Sequence, residues 1–220
     1  TYYELGIHIA HPQIFLQEYL LTILKRFTTI YTYKNINLLP DIYSENLCSL
    51  LQKKYRNSLS IIIKFDFNNS LLDYEIKEST VFITKNYDYD DFQQKYFNIL
   101  VQNQQNQQNQ VNKYEEWIQL SETYFKTKLD SHSIVENWMI EANKIIAQHL
   151  IDHNIENIIL RVFQENSQLI IKKNDLTLQK ILNQYEQQSA TYQIYNPENP
   201  SIFKHSNFNH SFYTHFTSPI

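Results

Sequence analysis

The sequence predicts an α+β fold, a mixed sheet packed with helices. Two observations carry that expectation. Strand-like and helix-like stretches follow one another without the regular strand–helix–strand alternation that builds a parallel sheet. A single glycine, Gly6, in 220 residues leaves no glycine-rich loop to cradle a dinucleotide or a nucleoside triphosphate. Tight turns therefore fall to Asn, Asp and Pro.

The elements follow in order. Tyr3–Ile9 alternates Ile7 and Ile9 against His8, as a strand does. Phe15–Phe27 places Leu16, Tyr19, Leu20 and Ile23 at helical spacing. Asn37–Leu51 reads as a loop with one tight turn. Ser60–Phe67 and Leu71–Ile83 are β-rich runs joined at Asn68-Asn69-Ser70, a hairpin. Asp88–Leu100 reads as a helix. Gln102–Gln110, inside a 102–112 insert, has neither apolar nor charged residues, can bury nothing, and is expected to be disordered. Ser133–Leu150 carries one apolar stripe, Ile134, Val135, Trp138, Met139, Ala142, Ile145 and Ile146. The Ser133-x-x-Glu136 pattern there predicts a capping box. Ile158–Val162 reads as a strand, Thr177–Gln188 as a helix and Asn196–Pro200 as a loop.

Composition excludes several functions. Net charge is −4, which argues against binding nucleic acid through bulk positive charge. An aromatic-lined groove remains open, since the chain has 17 tyrosines and rings stack on any base. Cys48 is the one cysteine, so no intrachain disulfide and no cysteine zinc cluster can form. No apolar run approaches the length that spans a bilayer. An intracellular location, cytoplasmic or nuclear, is expected, with no membrane partner.

Three groups of residues could carry chemistry. Asp88, Asp90 and Asp91 could converge on cations, or sit in the first turn of a helix, where acids suit the dipole; the local pattern favours the helix. His149 and His153, four apart, have zinc-binding spacing but no third ligand. His8 and His11 differ by an odd number and point to opposite strand faces. No Ser lies in a Gly-x-Ser-x-Gly elbow.

Four strings, in order, resemble the RNB catalytic domain of the ribonuclease II / ribonuclease R exoribonuclease family, which includes exosome relatives. Tyr2–Ala10, "YYELGIHIA", resembles Y-x-x-G-V-H-I-A. Leu38–Leu50, "LLPDIYSENLCSL", resembles M-L-P-x-x-L-S-E-N-L-C-S-L. Ile134–Ala147, "IVENWMIEANKIIA", resembles L-V-E-E-F-M-L-L-A-N-x-x-V-A. Phe212–Ile220, "FYTHFTSPI", resembles Y-T-H-F-T-S-P-I.

The resemblance implies a partial RNB domain spanning residues 1–220. It implies a role in hydrolysing single-stranded RNA processively from the 3′ end to nucleoside monophosphates. The family's Mg²⁺-binding aspartates precede the first strand, so none of its catalytic or metal-binding residues is expected within this chain. Tyr31 and Tyr89 fall where family aromatics meet RNA, Tyr89 near the scissile end. Arg161 and His215 lie in matching strings, and Thr217 and Ser218 in a turn that presents an arginine to phosphate. Single-stranded RNA, not DNA, is the implied partner, and an exosome-like complex a candidate assembly.

The chain also departs from the pattern. His11 replaces the acid of H-I-A-D, Phe163 replaces the His of R-V-H, and Tyr124–Ile134 is shorter than in the family. Three readings stay open: an active exoribonuclease, an RNB pseudoenzyme that binds RNA or acts as a scaffold, and an unrelated interaction domain.

Overall fold

The computed structural model describes residues 2–13, 30, 36–97, 113–163, 190–203, 205 and 212–217. The expected helices 15–27 and 177–188, the 102–112 insert, Tyr31 and Ser218 lie outside the described residues. The chain divides into two compact units, Thr1–Met139 with Thr217–Ile220, and Ile140–Phe216. The fold is α+β, and both sheets named below are antiparallel. The one described parallel pairing is an isolated bridge, Phe163 with His205.

In the first unit β1 (Tyr3–Ala10), β2 (Lys54–Phe65) and β3 (Leu71–Ile83) form a sheet in that order. Ile7 faces Ile61, and Ile61 faces Ile76. Side chains alternate across a strand, so this register sends Ile61, Ile63 and Phe65, all fully buried, to one face. Phe65 meets the rings of Tyr124 at 5.4 Å and Trp138 at 5.9 Å, both edge-on. The hairpin turn closes without glycine. The Asp66 carboxylate accepts from the N–H groups of Asn68 and Ser70. Asn69 takes φ 60°, a conformation Asn tolerates better than most residues.

The opposite face is polar at its centre. Ser58 and Ser60 are fully buried, and they share hydrogen bonds with each other and with Ser79. His8 Nδ1 lies 2.7 Å from Ser60 Oγ. The His8 ring explains the only glycine: a Cβ at Gly6 would stand 2.6 Å from His8 Nε2.

Between β1 and β2, Ile42–Leu47 is a π-helical turn within the segment read as a loop. Of the helix expected over 88–100, the described part is α1 (Tyr89–Phe92), which widens at once into a π-helical turn, Gln93–Phe97; residues 98–100 lie outside the described residues. Helix α2 (Lys113–Phe125) was absent from the sequence reading; Tyr114, Ile118, Ser121 and Phe125 show its helical spacing.

Helix α3 (Ser131–Asp152) begins two residues earlier than expected. Its capping box is not Ser133–Glu136. Asp130 Oδ1 accepts from the Ser133 N–H at 2.7 Å, and Ser133 Oγ accepts from the Asp130 N–H at 2.7 Å. Asp and Ser satisfy the reciprocal box as well as Ser and Glu do, and the apolar stripe alone could not choose between them. Trp138, on that stripe, donates its indole N–H to the buried Ser121 hydroxyl at 2.8 Å.

In the second unit β4 (Ile159–Val162) pairs with β5 (Thr191–Ile194). Ala147, Ile158, Leu160, Val162 and Phe203 form its core, Phe203 closing a 3-10 turn, Pro200–Phe203. The strand β5 was not read from sequence. Among the described residues no helix is long and apolar enough to cross a membrane.

Phe65→Ala should remove about 3–5 kcal/mol from the first unit, read as a lower denaturant midpoint. Tyr55→Ala, on the same strand but exposed, should leave that midpoint nearly unchanged.

Candidate nucleic-acid interface

In the first unit Tyr89 opens helix α1. Asp88 caps that helix, its carboxylate accepting from the Asp91 N–H at 2.7 Å. The acids of this run therefore serve a helix end, the role the local pattern favoured. Tyr89 is 43% exposed, and one ring face stacks on His132 with centroids 3.9 Å apart and planes 20° off parallel. Tyr89 borders a cavity of about 260 Å³, lined also by Lys85, Tyr87, Phe92, Tyr114 and Trp117. Its tyrosines are tied together: the Tyr87 hydroxyl shares hydrogen bonds of 3.1 Å with Tyr96 and 3.3 Å with Tyr114, and Lys85 Nζ sits 4.3 Å from the Tyr87 ring centre.

A larger cavity, about 610 Å³, runs along β1 from Leu5 to Ala10 and includes Trp117, Trp138, Met139 and Thr217. Trp117 thus borders both cavities. The structure brings Thr217 to the strand that carries the first family-like string.

In the second unit Arg161 and His215 are neighbours in effect. Burial pushes the His215 imidazole below its ordinary pKa, and the Arg161 guanidinium lowers it further. Neutral His215 holds its Nδ1 3.0 Å from the Tyr192 hydroxyl. The same arginine acts on His205, pushed down to about 4 by burial and then by Arg161. His205 is 2% exposed and lies against Phe163 and Tyr213, so the aromatic at 163 stands beside an imidazole from elsewhere in the chain.

Asn143 fixes this arrangement. It is fully buried on α3. Its Nδ2 donates to the Tyr213 hydroxyl at 2.9 Å, and its Oδ1 accepts from the Phe216 N–H at 2.8 Å. Strand β4 holds the same segment from the other side: the Arg161 N–H donates to the Tyr213 carbonyl, and Thr214 Oγ1 donates to the Ile159 carbonyl. Sequence reading quoted Asn143 without giving it a role. A polar residue beside Ala142 on an apolar stripe was the available signal. His132 and Tyr192, which meet Tyr89 and His215, carried no comparable signal.

The described residues do not fit a divalent cation. No three His, Cys, Asp or Glu side chains among them converge on a point that could hold one. Asp88 is committed to its helix cap. His153 Nδ1 lies 2.8 Å from the His149 carbonyl, so one nitrogen of that pair is already engaged. His8 and His11 have different partners, Ser60 and Glu78.

Asn143→Ala should cost about 2–4 kcal/mol, because it removes the hydrogen bonds to the Tyr213 hydroxyl and the Phe216 N–H. It should also raise the His215 pKa toward its ordinary value, read by NMR titration. His205 gives a pH signature. Its folded pKa lies below the unfolded one, so its neutral form favours the fold fully above about pH 6.5. That contribution is lost as pH falls toward about 4. Thermal stability should drop across this window, and the drop should be shallower in His205→Gln.

Comparison with known proteins agrees with the fold. Mycoplasma genitalium RNase R in complex with ribose-methylated single-stranded RNA superposes with a TM-score of 0.73 at 19% identity, over 99% of this chain and 43% of that one. Yeast Ssd1, a pseudonuclease, superposes at 0.75 and 16% identity, over 98% of this chain and 34% of that one. Candida glabrata Dss1 exoribonuclease, an active-site mutant, gives 0.60 at 16%, over 87% and 34%. The chain therefore spans less than half the length of these solved relatives. No curated protein sequence matches it. The RNB domain matches residues 1–124 and 93–220, which together cover every residue, and the chain belongs to the RNB domain family of ribonucleases.

Proposed function

We propose that this chain is the RNA-holding part of a 3′–5′ exoribonuclease that hydrolyses single-stranded RNA processively to nucleoside monophosphates. The observation that supports this most is the RNB match along the whole chain. We read residues 1–220 as one partial RNB domain with 102–112 as an insert. The resemblance to the family assigns Mg²⁺ to acids outside this chain, and no three His, Cys, Asp or Glu side chains converge among the described residues. The chain's own part is to bind and orient.

Tyr89, stacked on His132 by one face, is 43% exposed beside an aromatic-lined cavity. A terminal base stacked there fixes the position of the scissile phosphate, which lowers the entropic part of the barrier. Arg161 supplies a permanent charge whose planar fork suits a phosphate. His215, kept neutral and held by Tyr192, offers a hydrogen bond to ribose or phosphate without adding charge. Thr217 and Ser218 continue the segment that Asn143 anchors, and Tyr31 adds a second stacking ring.

A second reading, an RNB pseudoenzyme that binds RNA or serves as a scaffold in an exosome-like complex, is favoured by one contact. At the position of the family's H-I-A-D acid, His11 faces Glu78 at 3.5 Å, so the chain carries a base where the pattern has a carboxylate.

Digestion of single-stranded RNA by the full-length protein with Mg²⁺ separates the readings. The enzyme reading expects monophosphates, and longer limit products from Tyr89→Ala. Unchanged end products would remove the role given to Tyr89. RNA bound but never shortened by the wild type would favour the pseudoenzyme.

A further inference from the structure

Two helix starts bring Tyr89 and His132 together. Tyr89 is the first residue of α1, and His132 is the second of α3. Each start is capped by an acid. Asp88 accepts from the Asp91 N–H and Asp130 from the Ser133 N–H, both at 2.7 Å. A third bond joins the two starts: the Ser131 N–H donates to Gln93 Oε1 at 2.7 Å. The backbone beside His132 is thus tied to the turn that continues α1. Rings mounted on helix ends held in this way keep their relative geometry better than rings on loops.

The contact differs from the ring packing around it. Tyr87 meets Phe92, Tyr96 and Tyr114 edge-on, with planes 77–79° apart. Tyr89 and His132 instead lie nearly parallel, 20° apart, with centroids at 3.9 Å. Both residues are exposed, so the stack buries little apolar surface and the core does not depend on an imidazole at this position.

A parallel stack this close has a steric consequence. Bases stack about 3.4 Å apart, so a base between two rings needs them about 6.8 Å apart. The space between Tyr89 and His132 is too narrow for one. Tyr89 therefore has at most one face to offer. A ring open on both faces can slip between bases anywhere along a strand. A ring with one face closed can only end a stack of bases.

We infer that His132 is a positioning residue for the terminal nucleotide: it closes one face of Tyr89 and holds that ring, so that Tyr89 ends the base stack at the last base of the strand. This rests on the reading of Tyr89 given above. His132 acts through Tyr89 and is assigned no contact with RNA. Its effect is to favour a strand end over a strand interior. A fixed terminal base fixes the scissile phosphate, so loss of His132 shows in turnover and product length more than in binding of the strand as a whole.

Digestion of single-stranded RNA by the full-length protein tests it, with kcat, KM and limit-product length read for each variant. His132→Ala should lower kcat about tenfold, leave KM within about twofold, and spread the limit products over a wider range of lengths. His132→Phe keeps a flat ring and should restore the wild-type values. His132→Gln keeps a polar side chain without a ring and should behave as His132→Ala does. All three should keep the wild-type thermal midpoint, because position 132 is exposed. Wild-type kcat and product lengths in His132→Ala, with Tyr89→Ala altered, would overturn the role of His132 alone. So would equal defects in His132→Phe and His132→Ala, or a loss of fold in His132→Ala. Unaltered products from Tyr89→Ala would overturn the reading of Tyr89 and this inference with it, as would a wild-type protein that binds RNA without shortening it.

Discussion

The register of the β1–β2–β3 sheet is the constraint on which the first unit depends. Because side chains alternate strictly, one choice of pairing settles three things together. It sends Ile61, Ile63 and Phe65 into the core. It places the His8 and serine cluster on the opposite face. It carries the core face outward to Tyr55 and Phe82, where nothing in the described chain covers it. A slip of one residue would expose the isoleucines and bury Lys64 beside them. The hairpin turn that fixes this pairing is made by an Asp carboxylate and an Asn in a left-handed conformation, so a chain with one glycine still turns sharply.

The second unit depends on a different device. Its terminal segment has no strand ladder of its own, and it is positioned by a buried amide from α3 and two hydrogen bonds to β4. That anchoring sets His215 beside Tyr192. Burial, and then Arg161 on β4, lowers the pKa of both His205 and His215. Both histidines are thereby disfavoured as cations, while the arginine beside them keeps its charge. The division of labour suits recognition of an anion by one permanent cation, with neutral hydrogen-bonding groups beside it.

Much of this was legible in the sequence where a short-range rule applied. The alternation in Tyr3–Ile9 and the Asn-rich turn before Leu71 located the meander, and the stripe from Ile134 to Ile146 located α3. The family-like strings gave the architecture, which periodicity could not. The failures have physical causes. Asp130 and Ser133 form a capping box with the same chemistry as Ser133 and Glu136 would, so composition could not choose the start of α3. The helix after Asp88 widens within one turn as Tyr96 and Phe97 are buried, a tertiary effect. β5 exposes every residue, so it shows no alternation of burial. In the candidate site, Tyr89 was readable as an aromatic at a family position. His132 was not, because stacking across two helix starts leaves no mark in local sequence, and Asn143 declared itself only through partners 70 and 73 residues away.

The central claim is that the described surface of this RNB-family chain holds single-stranded RNA through exposed rings set among cations. Ultraviolet crosslinking of single-stranded RNA to the full protein, with the modified peptides mapped by mass spectrometry, tests it most directly. The account predicts adducts on the peptide containing Tyr89. Adducts confined to other surfaces, with the Tyr89 ring unmodified under conditions of saturated binding, would contradict it.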